Sequence, residues 1–354
     1  MNTSVTGKKR GRPAKIQKVD NDHTDKDHTD SGDEEDSDEG IIEQFKEGGA
    51  LALVVQNAQS LLEVPDFGQE QHMCFQTTQV AHMATLFKCL SNLLTRAEII
   101  FHESGWRIVA KNSNKTAIVY LRVSEQTLAG GTYECNSQYR ISVPLDDISH
   151  RMKIGRKADV MCFYLSGENP DKLFMKFSTS GRITEADLIL CDPETEHPVI
   201  PPVVYYNQVD LPAAAFKEIV NEVKSDSGIH EITFIKYRHK FVIQVGADQG
   251  PIRFKFGAEN TEDSAKFFSG NDEGLQEVKE TAQEGEEKPL KSTFSLQEII
   301  NFTAISKTSK WVSLNMPEPD ENGQITKALK ISYTIAALAK ISFYLVSKDE
   351  DDDE

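Results

Sequence analysis

Two stretches of the chain carry the same alternation of apolar and polar positions. In the first, Val143-Pro144-Leu145-Asp146-Asp147-Ile148 ends a short alternating strand and opens a helix. In the second, Phe294-Ser295-Leu296-Gln297-Glu298-Ile299 does the same. Apolar residues then recur at helical spacing, Leu145, Ile148 and Met152 in one copy and Leu296, Ile299 and Phe302 in the other. Pro144 sits where a first-turn proline is tolerated, and Ser295 with Glu298 makes a capping box. The outer face of the first helix carries His150, Lys153 and Lys157.

The rest of the pattern falls into two similar runs. Between residues 72 and 190, a strand at Met73 to Thr78 precedes an amphipathic helix with Met83, Leu86, Phe87, Leu90, Leu93 and Leu94 inward. Lys88 lies on its polar face and Arg96 further round. Strands are predicted at Ile99 to His102, Trp106 to Ala110, Ala117 to Val123 and Tyr139 to Val143. After the helix at 144–154 come Val160 to Leu165, Lys172 to Ser178 and Glu185 to Leu190. Residues 191–205, rich in proline and without periodicity, form an extended linker. From 206 to 346 the order restarts. A strand leads into a helix with Phe216, Ile219, Val220 and Val223 inward and Lys217 and Lys224 outward. Strands follow at Glu231 to Ile235, Lys240 to Val245 and Pro251 to Phe256, then an acidic insertion at 259–289. The duplicated unit, with Lys307 beyond its helix, precedes strands at Trp311 to Met316, Leu329 to Ile335 and Ile341 to Val346. The expectation is an α+β protein of two similar domains.

Charge changes this picture at the margins. The chain of 354 residues has a formal net charge of −17. The acidic residues concentrate in 20–39, in the insertion and in the tail 347–354, all solvated segments without apolar surface to offset chain entropy. Residues 1–40 form a disordered tail whose basic half, Lys8, Lys9, Arg10 and Arg12 around an Arg-Gly-Arg-Pro core, suits an AT-hook in the minor groove or a nuclear-import signal. Residues 41–71 give no clear pattern. The five cysteines form no CxxC pair, so neither zinc nor a disulfide framework is expected. No apolar run approaches the ~18–20 residues of a membrane span. No phosphate-binding loop, nucleophile elbow or HExxH is present, so no cofactor, no metal and no catalysis are expected.

The two runs, the linker ending Val199-Ile200-Pro201, the unit VPLDDISHRMK, the helix FSLQEIINFTAIS and the closing ISFYLVSK before an acidic tail resemble the proliferating cell nuclear antigen family, the eukaryotic-type DNA sliding clamps. The resemblance covers about 72–348. The first 70 residues and the insertion depart from it, which marks a divergent member with a viral origin as one reading. It implies a head-to-tail homotrimer of two-domain subunits with helices lining a central hole and sheets outside. Double-stranded DNA would face Lys88, Arg96, His150, Lys153, Lys157, Lys217, Lys224 and Lys307. At Ala84, Thr85, Ser91, Asn221, Gln297 and Ala304 the family usually carries basic residues.

The resemblance also implies an edge-strand interface in which Lys172 to Ser178, with Phe174 and Lys176, pairs with Pro251 to Phe256, with Ile252 and Phe254, of the next copy. Clamp-binding peptides would enter a pocket at Ile118, Val199, Ile200, Tyr344 and Val346, where Lys111 and Lys115 replace residues common in the family. The implied partners are a DNA polymerase, an ATP-dependent clamp loader and other peptide-bearing replication or repair proteins. The implied location is the nucleus or, for a virus, the nucleus or a cytoplasmic replication site. The rival expectation is a monomeric or dimeric polymerase accessory protein that binds DNA without encircling it.

Overall fold

The computed structural model describes residues 72–345 except 113, 125–130, 168–169, 194–197, 201–202, 247–249, 258–263, 272–273, 279–288, 318–327 and 337. All belong to the unit Gly48–Glu354, and the unit Met1–Glu47 lies outside them. The first run is β1 (His72–Thr77), α1 (Val80–Leu93), β2 (Arg96–His102), β3 (Gly105–Lys111), β4 (Ala117–Ser124), β5 (Thr132–Cys135), β6 (Tyr139–Pro144), α2 (Leu145–Gly155), β7 (Val160–Ser166), β8 (Lys172–Thr179) and β9 (Arg182–Ile189). The second is β10 (Asn207–Pro212), α3 (Ala213–Lys224), β11 (Glu231–Lys236), β12 (Lys240–Val245), β13 (Ile252–Gly257), β14 (Lys266–Asn271), β15 (Gly274–Glu277), β16 (Leu290–Ser295), α4 (Leu296–Phe302), a 3-10 helix (Thr303–Thr308), β17 (Trp311–Met316), β18 (Leu329–Ile335) and β19 (Ala339–Leu345). Matching the runs element by element makes β19 the counterpart of β9, and β13 the counterpart of β4.

The strands form three sheets. One has the order β5-β1-β7-β8-β9 and another β13-β12-β11-β16. The third is continuous across both runs, β15-β14-β10-β17-β18-β19-β4-β3-β2-β6. Its central join is the antiparallel pairing of β19 with β4, from Ala339 opposite Val123 to Leu345 opposite Ala117. Alternation along each strand explains why one face is dry. In β4, Ala117, Val119, Leu121 and Val123 are buried, while Ile118, Tyr120, Arg122 and Ser124 point the other way.

The helices cover that dry face. The inward stripe of α1 buries Met83, Leu86, Phe87, Leu90 and Leu93, as its periodicity predicts. Phe87 stacks on Trp106 with ring centroids 6.5 Å apart and meets Phe163 edge-on at 6.2 Å. In the second run Phe302 of α4 stacks on Phe343 of β19 at 4.3 Å. Each such ring contributes roughly 1.5–3 kcal/mol by leaving water. Gly105 and Gly155 are among the glycines demanded by space. A Cβ at Gly105 (φ +125°) would strike the Val123 carbonyl, and one at Gly155 would enter the Phe177 ring, where the end of α2 rests on β8.

Four expectations need correction. Lys172 to Ser178 is not an edge: β8 pairs with β7 on one side and β9 on the other, so the free edge is β9. The insertion at 259–289 contains β14 and β15, because Phe267 supplies one buried core residue and β14 completes the ladder beside β10. β5, too short and polar to show alternation, pairs with β1. Ser295 is the N-cap of α4 but makes no side-chain capping bond, and the Glu298 carboxylate that would complete the box is engaged with Asn112 and Thr116.

Candidate functional site

The helices pack as a row, α2 against α1, α1 against α4 and the 3-10 helix, and these against α3. Their polar sides therefore share one surface. Lys88, Arg96, His150, Lys153, Lys157, Lys224 and Lys307 are exposed, and Lys217 is half-buried. Between α3 and the 3-10 helix lies a cleft of about 620 Å³ lined by Lys217, Asn221, Ser306 and Lys307, with Glu218 and Glu222 on its wall. Burial pushes the Lys217 ammonium below its ordinary pKa, and the nearby Lys307 charge pushes the same way. An anion in the cleft would be favoured by both. Ala84 is buried, so it does not belong to this surface, and Arg151 turns away to donate hydrogen bonds to the Asp147 and Asp187 carbonyls.

Among the described residues the three sheets end on six strands, β5 and β9, β15 and β6, β13 and β16, and of these β9 and β13 are the counterparts of the joined β19 and β4. On β9, Ile183, Glu185, Asp187 and Ile189 share the face away from the core, and Ile189 is 71% exposed. On β13, Arg253 and Lys255 take that face, while Ile252 shares the side on which Phe254 and Phe256 pack onto the core. Acidic side chains on one edge thus match basic ones on the other, with Asp187 and Glu185 already paired to Lys172 and Lys176 within the first sheet. Phe174 and Lys176 sit inside the first sheet. Phe174 stacks on Tyr164 at 4.9 Å, and Lys176 is paired with Glu185 at 2.9 Å. The strand missed as an edge was identifiable, because β9 answers to β19 in the duplicated order.

On the outer side of the ten-stranded sheet, Lys330, Tyr344, Ile118 and Lys111 form one cross-strand row over β18, β19, β4 and β3. Tyr205, at the end of the linker, donates its hydroxyl to the Ala328 carbonyl at 2.5 Å. The Lys330 ammonium lies 5.9 Å from the ring centroids of both Tyr205 and Tyr344. Ile200 is half-buried and Val199 is 79% exposed. Val346, and Lys8, Lys9, Arg10 and Arg12 of the basic tail, lie outside the described residues.

A last contact ties the two runs together. Glu298 of α4, nearly buried, accepts hydrogen bonds from the Asn112 amide at 3.3 Å and from the Thr116 hydroxyl, both in the β3–β4 turn. Burial raises its pKa, and the Asn112 bond opposes that. Sequence reading missed it because a carboxylate at this helix position has a ready local explanation. Among the described residues no group of three His, Cys, Asp or Glu side chains could hold a metal ion, and no helix is long and apolar enough to cross a membrane.

Residues 73–197 match the family model for the N-terminal domain of proliferating cell nuclear antigen. The chain is also similar to the proliferating cell nuclear antigen of Chaetomium thermophilum, 22% identical over 278 residues, which span 78% of this chain and 97% of that protein.

Proposed function

We propose that this chain, a divergent protein of the proliferating cell nuclear antigen type, is a DNA sliding clamp that closes around duplex DNA and tethers a polymerase to it. That family is a non-enzymatic scaffold of DNA replication, and the chain is not an enzyme. Trimeric assembly and nuclear residence are typical of the family. The observation that carries the proposal is the join of β19 to β4. Their counterparts, β9 and β13, are left as free edges. A second copy pairing its β13 with β9 would repeat the intrachain join between chains, and a heterologous contact of this kind closes into a ring. Acidic Glu185 and Asp187 opposite basic Arg253 and Lys255 favour that pairing over β9 with β9.

In such a ring the row of helices faces inward. Lys88, Lys153, Lys157, Lys217, Lys224 and Lys307, with Arg96 and His150, supply sequence-blind phosphate contacts. Processivity then comes from enclosure rather than affinity, which is why a face mixed with Glu218 and Glu222 suffices. A closed ring needs an ATP-driven loader to open it. The outer row at Ile118 and Tyr344, with the linker residues Val199 and Ile200, receives peptides of the polymerase and of other replication or repair enzymes. The basic tail adds either minor-groove contact or nuclear import.

The test is topological. Affinity built from lysine–phosphate contacts falls by ~10³-fold or more over a few-fold rise in salt when several contacts are made. A ring on a closed circle cannot leave that way. Protein loaded on a nicked circle is expected to survive high salt and to leave once the circle is cut, with or without residues 1–40. Equal loss from circular and linear DNA would instead support the non-encircling accessory protein.

A further inference from the structure

The outer face of β18, β19, β4 and β3 has a charge pattern at odds with the chain as a whole. Its charged residues are Lys330, Lys340, Arg122, Arg107 and Lys111, while Ser332, Ser342 and Tyr344 on the same side are buried. None of the four strands contains an acidic residue, although the whole chain carries −17. Lys340, Arg122 and Arg107 stand directly opposite one another on three adjacent strands. Like charges in that arrangement destabilise a sheet. None of Arg107, Lys111, Arg122, Lys330 and Lys340 has an acidic partner within ion-pair distance among the described residues. At the other end of the face, about 13 Å along the strands at ~3.3 Å per residue, Lys330 is lodged between the rings of Tyr205 and Tyr344.

We infer that this face selects acidic linear peptides, with the Lys330 ammonium binding a carboxylate of the partner beside its apolar anchor. The inference rests on the reading of this face as the partner-peptide surface and adds the chemistry of the partner. Three observations favour it. Tyr205 and Ile118, both half-buried, offer apolar surface beside the nearly buried Tyr344, and Lys330 puts a cation next to it rather than in open water. Burial lowers the pKa of Lys330, and Lys340 lowers it further, so a bound carboxylate would relieve both effects. The row of Lys340, Arg122 and Arg107 lies where residues flanking such an anchor would run, and a flanking acidic run would relieve its repulsion as well. Duplex DNA fits less well. A phosphodiester backbone would meet the exposed row, whereas Lys330 is half-buried beside two tyrosine rings.

The test uses the full chain and two synthetic peptides that share a Phe-Phe pair, one followed by Asp-Glu-Asp and the other by Asn-Gln-Asn. Binding is read by fluorescence anisotropy at two salt concentrations, with a 20-base-pair duplex as competitor. The acidic peptide should bind at least ~10-fold more tightly, as charge-assisted bonds in a partly dry site allow. Lys330→Met should remove most of that preference and leave the neutral peptide's affinity within about threefold. Because Lys330 is half-buried, circular dichroism checks its fold, and Arg107→Ser with Arg122→Ser, both exposed, should independently lower the salt dependence of the acidic peptide. Equal binding of both peptides, unchanged by Lys330→Met, overturns the acidic preference while the peptide surface stands. Failure of both peptides overturns the preference and that surface together. Displacement by the duplex at equal concentration would assign the face to nucleic acid. Binding that appears only after deletion of 347–354 would make the chain's own acidic tail the occupant.

Discussion

A proline on β13 separates the proposed ring contact from the stability of the subunit. Along an edge strand successive N–H groups point alternately toward the neighbouring strand and away from it. β12 pairs with β13 from Val245 opposite Ile252 to Lys240 opposite Gly257, so of Phe254 and Lys255 one directs its N–H at β12 and the other outward. Proline at the inward position breaks the subunit's own ladder and should lower its thermal stability. At the outward position the intrachain ladder is intact, and only pairing with another copy loses a donor and meets the ring of the proline. Loss of about two intermolecular ladder bonds at ~0.5–1.5 kcal/mol each gives ~1–3 kcal/mol per contact. That is about 5- to 150-fold in the association constant. Mass measured by sedimentation or mass photometry across a concentration series should therefore fall to the monomer for Phe254→Pro or Lys255→Pro, whichever retains the wild-type melting temperature. If the variant that keeps its fold also keeps its mass at every concentration, β13 is not the contact and the pairing with β9 is wrong.

Changing Lys88, Lys153, Lys217 and Lys307 together to alanine should slow loading and reduce the slope of log affinity against log salt by about 3–4 while leaving retention on a closed circle intact; filter binding and a bead-bound circle report the two. Ile200→Ala with Tyr344→Ala should weaken a polymerase-tail peptide by at least ~10-fold without changing the oligomer mass, since anchor residues carry most of such affinity. Asn112→Ala should cost about 1–3 kcal/mol of stability by stripping a donor from the nearly buried Glu298 carboxylate, measured by urea unfolding. For Glu298 the folded pKa lies above the ordinary carboxylate value, so the folded state holds the proton more firmly and stability declines as pH rises from that ordinary value through the folded one. Glu298→Gln should flatten this decline in melts across acidic pH, and an unchanged profile would mean that another group sets it.

Element type was legible wherever burial imposes a period. The stripe of α1 and the alternation of β12 and β17 are written in the sequence because one face of each meets the core. What escaped lies where burial is absent or shared. β15 is exposed along its whole length, so no alternation marks it. β8 and β9 both read as strands, but an alternating pattern does not say which of two neighbours has a free side, and the resemblance to the family does not decide it either. Only counting positions in the duplicated order gives the answer. Lys330 was hidden for a different reason: a lysine in a strand normally means solvent, and its place between Tyr205 and Tyr344 depends on the linker's return to β18. Glu298 shows the same limit, since its local role at a helix start and its long-range role with Asn112 demand the same residue.

The two kinds of join in the proposed ring differ in chemistry, and that difference bears on how the ring opens. The intrachain join puts Lys340 opposite Arg122 on the outer face, an unfavourable pair, yet it is backed by the stacked Phe302 and Phe343, by the hydrogen bonds of Glu298 and by the covalent chain. The proposed join between chains has no covalent chain to back it. It would instead set Glu185 and Asp187 beside Arg253 and Lys255, charges that attract across exposed strands and that salt screens over about 8–10 Å. In the proposed ring the contact between subunits would therefore be the weaker and the more salt-sensitive of the two. A loader prying open the assembly would part β9 from β13 and leave the ten-stranded sheet whole. Raising salt should accordingly weaken association of the free subunits in a dilution series without lowering the melting temperature of the subunit, and the wash in the circular-DNA test is set below the salt at which the free ring disperses.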